Sequence, residues 1–231
     1  MTRMTPYLIG SSWRIGPRPD LPKSIVKTND SGEAIHECVD HHLFQDSDSV
    51  WHLWGCIRNL KIGRILYHWT SNDLFSDDWI QTGEYLRILQ STGESIRDWE
   101  GEEWIQSPYF VNHDGLHYMF YGGHSTGANA DGIEVSSDDF AVECQMCLMK
   151  SSDGKKWVRH DNDQGLSRIF VGPGEVRDPC LIKYKGKWLM YYAGYHDGIR
   201  TNPGVYVRES VNLIEWSDWS LVHQDFQYGQ G

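Results

Sequence analysis

Acidic side chains open two of three similar segments in this 231-residue chain. Asp40 begins one segment and Asp178 begins another, while Ser107 stands at the matching place of the third. The three openings are 67 and 71 residues apart. A carboxylate can accept a proton, donate one or act as a nucleophile. If the fold brings these openings together, the two aspartates could carry out acid–base or nucleophilic chemistry.

The segments also predict the elements that would position these residues. Each contains an alternating strand, then an aromatic strand, then a Ser-containing stretch that closes on Trp79, Trp157 or Trp216. The stretches His113–Gly115 and Tyr184–Lys187 lie between strand-like runs and predict hairpins, because both central residues of a type I′ turn need positive φ. Helical periodicity is nearly absent.

Self-similarity at this spacing predicts an all-β fold, a β-propeller of four-stranded blades. A small sheet cannot bury both of its faces alone, whereas repetition around an axis buries them. We expect one domain over residues 1–231, with blades at approximately 36–80, 104–160 and 175–220. Because propellers typically have about 4–8 blades, we expect the sequence to lack one or two blades. Closure of three blades by oligomerisation is the alternative.

The charge and hydropathy patterns argue against two classes of partner. The formal net charge is −11 and there is no Lys/Arg cluster, so we predict no nucleic-acid partner. No run approaches the ~20 apolar residues that span a membrane, so we predict no membrane partner. The N-terminus lacks the apolar run of a signal peptide, which predicts a cytoplasmic protein, or a secreted or periplasmic one if the start codon is mis-set.

The five cysteines do not read as a disulfide framework, because their number is odd and the chain is not small. Cys144 and Cys147 form a C-x-x-C pair, but a zinc site would need a second pair. Strand alternation would place these two side chains on opposite faces. We predict no metal site and no cofactor.

Two of the segments carry a family resemblance. The sequence RDPCLIKYKGKWLMYYAG at Arg177–Gly194, with QSPYFVNHDGLHYMFYGG at Gln106–Gly123 before it, resembles the five-bladed β-propeller glycoside hydrolases of families 43, 32, 62, 68 and 117. The resemblance extends over about Val39 to Trp219. It implies that carboxylates at the starts of innermost strands face one axial pocket. It also implies cleavage of O-glycosidic bonds in oligo- or polysaccharides by two-carboxylate chemistry.

The resemblance implies a role for each aspartate. Asp178 lies in an Arg-Asp-Pro motif, where it resembles the family's transition-state stabiliser or pKa modulator. Asp40 resembles the first-blade aspartate, which is the base in inverting members and the nucleophile in retaining ones. His41 follows Asp40 where proline is usual.

The proton donor is not identified by the resemblance. Gln106 occupies the slot of the family's acidic glutamate, and an amide cannot serve as a general acid. Glu102, Glu103 and Glu175 lie close to the openings, and a further blade could also supply the group. Glu103 and Glu175 therefore join the two aspartates as catalytic candidates.

Sugar contacts are expected from residues at the blade entrances. These substrate-binding candidates are His41, Trp104, Gln106, His124 and Arg177. His41 and His42 alternate along a strand, so only one of them can share the surroundings of Asp40. By contrast, an aromatic residue at one repeated place predicts packing between blades; these residues are Trp54, Tyr121 and Tyr192.

Three other functions stay open beside the hydrolase. One is a carbohydrate-binding propeller without catalysis. The second is a glycoside phosphorylase, which would need several cationic residues for phosphate, whereas only Arg177 and Arg208 are at hand. The third is a protein-interaction propeller, against which the Arg-Asp-Pro motif counts.

Overall fold

The computed structural model describes residues 17–94, 103–124, 144–195 and 203–224, which form three antiparallel sheets. The first contains β1 (Glu37–Gln45), β2 (Trp51–Leu60), β3 (Gly63–Ser71) and β4 (Ile80–Leu86). The second contains β5 (Ile105–His113), β6 (Leu116–His124), β7 (Cys144–Ser151), β8 (Val158–Arg159) and β9 (Arg168–Val171). The third contains β10 (Arg177–Tyr184), β11 (Lys187–Gly194), β12 (Gly204–Ser210) and β13 (Ser220–Gln224). A short 3₁₀ turn, Gln90–Thr92, follows the first sheet.

In each sheet the first four strands follow their order in the chain, so each of them pairs with its neighbour in sequence. This confirms the predicted all-β fold with four antiparallel strands per repeat. The second sheet has a fifth strand because β9 also pairs with β7, beyond the short β8. Within the described ranges, no helix is long and apolar enough to cross a membrane.

Two predicted hairpins are confirmed. Asp114 and Gly115 join β5 to β6 with φ of 49° and 76°, and Lys185 and Gly186 join β10 to β11 with φ of 48° and 82°. Positive φ at both central positions is the type I′ pattern, whose twist matches that of the flanking strands. These turns fix the register of the first two strands in each of these sheets.

The first strand of each sheet is interrupted at the same place. The register with the second strand shifts between Cys38 and His41 in β1, between Gln106 and Tyr109 in β5, and between Arg177 and Cys180 in β10. A bulge of this kind bends a strand and redirects a side chain. Ser107 and Asp178 take positive φ at these positions, 52° and 55°.

The sheets pack face to face through large aromatic side chains. Trp54 and Tyr121 belong to the cluster between the first and second sheets, and Tyr192 belongs to the cluster between the second and third. All three are at most 2% exposed, which confirms the predicted packing between blades. Cys144 lies in the latter cluster and Cys147 in the former, so the pair occupies opposite faces as predicted. All five cysteines are free.

The outer faces of the first and third sheets differ. Leu21 and Ile25 cover the first sheet and pack against residues such as Ile57. The third sheet exposes Ile182 and Val222, which are 45% and 50% accessible. Among the described residues, the third sheet therefore exposes more apolar surface on its outer face than the first sheet does.

Candidate active site

The three bulged openings meet at one hydroxyl group. Ser107 Oγ lies 3.1 Å from Asp40 Oδ2 and 2.8 Å from Asp178 Oδ1. Each partner comes from a different sheet, and the bulges at the strand starts turn these side chains towards one another. The fold therefore brings together the two aspartates that the sequence singled out, with Ser107 between them.

The sequence pattern did not single out Ser107 as a member of the candidate site. A serine hydroxyl has one proton and can donate it to one carboxylate at a time, although its oxygen can also accept. This property makes Ser107 a bridge that holds both carboxylates in place. The signal was present, because Ser107 lies 67 residues after Asp40 and 71 before Asp178.

Removal of the bridging hydroxyl should loosen both carboxylates. For turnover that depends on these carboxylates, we expect Ser107→Ala to lower kcat by about 10–10²-fold, since a small misplacement of reacting groups costs that much rate. The pH profile of kcat should also change, because both carboxylates lose a hydrogen-bond partner. Steady-state kinetics across pH would measure both effects, with the exposed Ser152→Ala as a matched control. An unchanged profile with a lowered melting temperature would show a purely structural role.

Arg64, Trp104 and Gln106 form one packed group beside Asp40. The Arg64 guanidinium lies 3.7 Å from the centroid of the Trp104 ring and donates a hydrogen bond to Gln106 Oε1. Burial lowers the pKa of Arg64, while the nearby charges of Asp40 and Glu175 raise it. Gln106 is only 3% exposed. In this structure, the predicted sugar contacts Trp104 and Gln106 hold Arg64.

The two glutamates that are candidate proton donors, Glu103 and Glu175, have different environments. Glu103 forms a bidentate ion pair, in which Arg87 Nε donates to its two carboxylate oxygens at 2.8 and 3.1 Å. Glu175 directly precedes Val176 and β10 and is 6% exposed. Its charge raises the pKa of Arg64, as that of Asp40 does. The main-chain carbonyl of Glu103 also accepts a hydrogen bond from the Arg64 backbone N–H, at 2.9 Å, but its carboxylate pairs with Arg87.

Arg177 lies beside Asp178, and both side chains are exposed to solvent. Its Nε is 3.6 Å from Asp178 Oδ2, and the two side chains are 46% and 52% exposed. A ligand could therefore reach both of them. The side chain of His124 lies outside the described residues, as does Glu102.

His41 and His42 separate as strand alternation predicted. His41 is exposed, with its Nδ1 3.3 Å from the Val39 carbonyl oxygen. His42 turns into the interface with the second sheet, stacks on Tyr109 at 4.3 Å, and accepts a hydrogen bond from the Phe110 N–H at Nδ1. His42 therefore ties β1 to β5 close to the bulge that carries Asp40.

This tie should make folding stability depend on pH. Burial, with a smaller effect of His41, lowers the pKa of His42 to about 4, against about 6.5 for an unfolded chain. Below pH ~6.5 the unfolded state takes up a proton that the folded state refuses, so stability falls towards pH ~4. We expect the free energy of unfolding to drop by about 1–2 kcal/mol from this group between pH 7 and pH 5. Urea titrations followed by tryptophan fluorescence would measure the drop. His42→Asn keeps an acceptor without titrating, and an equally large drop in that variant would contradict the assignment.

Metal ligands are not grouped in the part of the chain that the structure describes. No set of three or more His, Cys, Asp or Glu side chains there could hold a metal ion.

Comparisons with known proteins identify the fold. Neither a protein-family model nor a curated protein matches the chain. Among solved structures, the family-32 β-fructofuranosidase of Bombyx mori matches with 17% identity and a TM-score of 0.57, over 82% of this chain and 36% of its own. A thermostable family-43 glycoside hydrolase matches with 19% identity and a TM-score of 0.55, over 84% and 55%. An α-L-arabinofuranosidase from Lactobacillus brevis matches with 13% identity and a TM-score of 0.55, over 81% and 54%.

The chain spans between about a third and just over half the length of these proteins. Identities this low show the fold and leave the activity open. The three sheets, their order and these matches together establish that the chain has the all-β fold of the β-propeller glycosidases and contains three of its blades.

Proposed function

We propose that this chain carries catalytic carboxylates of a glycoside hydrolase, an enzyme that cleaves O-glycosidic bonds. The observation that supports the proposal most is the contact of Ser107 with both Asp40 and Asp178. Glycoside hydrolysis needs carboxyl groups on the two sides of the scissile bond. Three strand starts that are far apart in sequence converge here on two carboxylates and one hydroxyl group.

Asp40 acts as the base or nucleophile in this proposal. Asp178 stabilises the positive charge that develops on the sugar ring in the transition state, because a nearby carboxylate favours an oxocarbenium-like species. Arg177 lies beside Asp178 on the accessible side and can donate hydrogen bonds to sugar hydroxyl groups.

Glu175 is proposed as the proton donor. Gln106 cannot donate a proton as an acid does, and its amide oxygen already accepts from Arg64. Glu103 is held in its ion pair with Arg87. Glu175 is a buried carboxyl group whose charge, like that of Asp40, raises the pKa of Arg64, which supports a place for it beside Asp40.

The proposed substrates are oligo- or polysaccharides that contain furanose sugars. Two of the structural neighbours are named a fructofuranosidase and an arabinofuranosidase, which supports furanosides as the first class to assay. The assay would follow reducing-sugar release from fructans and arabinans, with pyranoside polymers as a comparison. Saturable release would support a hydrolase, whereas sugar binding without release across the panel would contradict it.

A carbohydrate-binding propeller without catalysis is the second candidate. The observation that favours it is Gln106, a neutral amide in the slot where the resembling family has its acid. A phosphorylase is less well supported, because Arg208 is 7% exposed and donates to Tyr192 Oη and the Ser217 carbonyl oxygen. The same assay with and without inorganic phosphate would separate phosphorolysis from hydrolysis.

A further inference from the structure

A cleft lies between the second and third blades. One wall is the segment from β8 to β9, and the other is the turn that follows β12. Its volume is about 590 Å³, within the range of small-ligand sites, roughly 300–1,000 Å³. None of Asp40, Ser107, Asp178 and Glu175 lines it.

Both walls are held in shape by asparagine side chains. Asn162 Oδ1 accepts hydrogen bonds from the backbone N–H groups of Gln164 and Leu166, at 2.9 and 3.0 Å. Asn212 Oδ1 accepts from the N–H groups of Ile214 and Glu215, at 3.0 and 2.9 Å. Such bonds fix a loop before any ligand arrives, so the cleft is preformed.

The lining combines an apolar base with a polar rim. Ile169, Ile214 and Trp216 line the cleft and also pack against the core between the two blades. Trp216 is anchored by its indole N–H, which lies 3.3 Å from the Leu213 carbonyl oxygen. The rim consists of His160, Asp161, Asn162, Asp163, Gln164, Arg168 and Glu215.

The charged side chains at the rim of the cleft indicate which class of ligand it can bind. Three carboxylates, those of Asp161, Asp163 and Glu215, oppose the single guanidinium of Arg168. Burial lowers the pKa of His160, so this side chain adds no positive charge at neutral pH. Anionic ligands are therefore disfavoured. Carboxylate and amide oxygens accept hydrogen bonds from hydroxyl groups, and an indole offers an apolar surface with a polar tip.

We propose that this cleft is a second carbohydrate-binding site, which takes a neutral oligosaccharide. Sugar hydroxyl groups donate to Asp163 and Glu215, and a sugar ring packs on the apolar base at Trp216. This inference goes beyond the proposed hydrolysis and does not depend on it. A binding site separate from the bridged carboxylates would hold a polysaccharide chain while those carboxylates act on it.

Titration of the full 231-residue chain with inulin and with linear arabinan oligosaccharides would test the proposal. The titration uses protein with Asp40→Ala, because this substitution removes turnover during the measurement. The NMR signal of the Trp216 indole N–H reports on the cleft. That resonance is the one missing from the spectrum of Trp216→Phe, a variant that keeps an aromatic ring in the core. We expect the Trp216 signal to shift saturably with one of the two glycans.

The double substitution of Asp163→Ala with Glu215→Ala should weaken this binding at least about tenfold, because two acceptors are lost. In a chain that keeps Asp40, the same double substitution should leave the hydrolysis of a short chromogenic glycoside unchanged. Asp77→Ala, at an exposed aspartate in the loop between β3 and β4, is the matched control and should leave binding unchanged.

Two results would overturn the inference: no saturable shift of Trp216 with either glycan, or equal affinity in the double variant and the control. If the shift is found while no variant or glycan shows turnover, the proposed hydrolysis fails and the second site stands. If turnover is found without the shift, the second site fails and the proposed hydrolysis stands.

Discussion

Replacement of Asp40 by asparagine should lower kcat by about 10³-fold, within the range for loss of a catalytic base. Asp178→Asn should lower it by about 10²–10³-fold, because an amide no longer stabilises the developing positive charge. Both variants should keep their sugar affinity, since asparagine has nearly the same shape and can still accept a hydrogen bond from Ser107. Steady-state kinetics and calorimetric sugar binding would measure the two effects separately.

The backbone at Asp178 supplies a control for this experiment. Its φ of 55° is tolerated by aspartate and asparagine alike, so the substitution adds no strain. Asp114 has a φ of 49° at a hairpin turn, and Asp114→Asn should therefore leave kcat and stability unchanged. Unchanged turnover in Asp178→Asn would remove that residue from the mechanism. If the unsubstituted chain binds sugar and releases none, the non-catalytic propeller becomes the better description.

The second large effect is expected for Glu175→Gln. Loss of the proton donor should lower kcat by about 10³-fold on an alkyl furanoside, whose leaving group needs a proton. On a nitrophenyl furanoside, the loss should be less than about tenfold, because nitrophenolate departs without protonation. Parallel assays on the two substrates would give the ratio, and the ratio is independent of how much protein is correctly folded.

Glu103→Gln is the matched comparison for that variant. Its carboxylate is buried as well, but it pairs with Arg87. We expect Glu103→Gln to lower the melting temperature and to reduce activity on both substrates by the same factor. A leaving-group dependence in Glu103→Gln and not in Glu175→Gln would reverse the proposed assignment of the donor.

Local patterns in the sequence were sufficient to predict the all-β architecture. Positive-φ residues such as Asp114 and Gly115 determine where a hairpin turns, and alternation determines which side of a strand a residue takes. For this reason the two confirmed hairpins, the four-stranded repeats and the opposite faces of Cys144 and Cys147 could all be predicted. The repeated aromatic residues could also be placed between the sheets, because a propeller buries the same strand position in each blade.

The sequence also determined which strand starts to inspect, since the repeat aligns Asp40, Ser107 and Asp178. Only the tertiary structure decided what these residues touch. The bridge through Ser107, the pair of Glu103 with Arg87 and the inward turn of His42 join residues from different elements. Such contacts depend on how bulged strands from separate sheets converge, and no local propensity encodes that convergence. Strand periodicity therefore determined the fold of this protein, and the packing of its blades determined its candidate site.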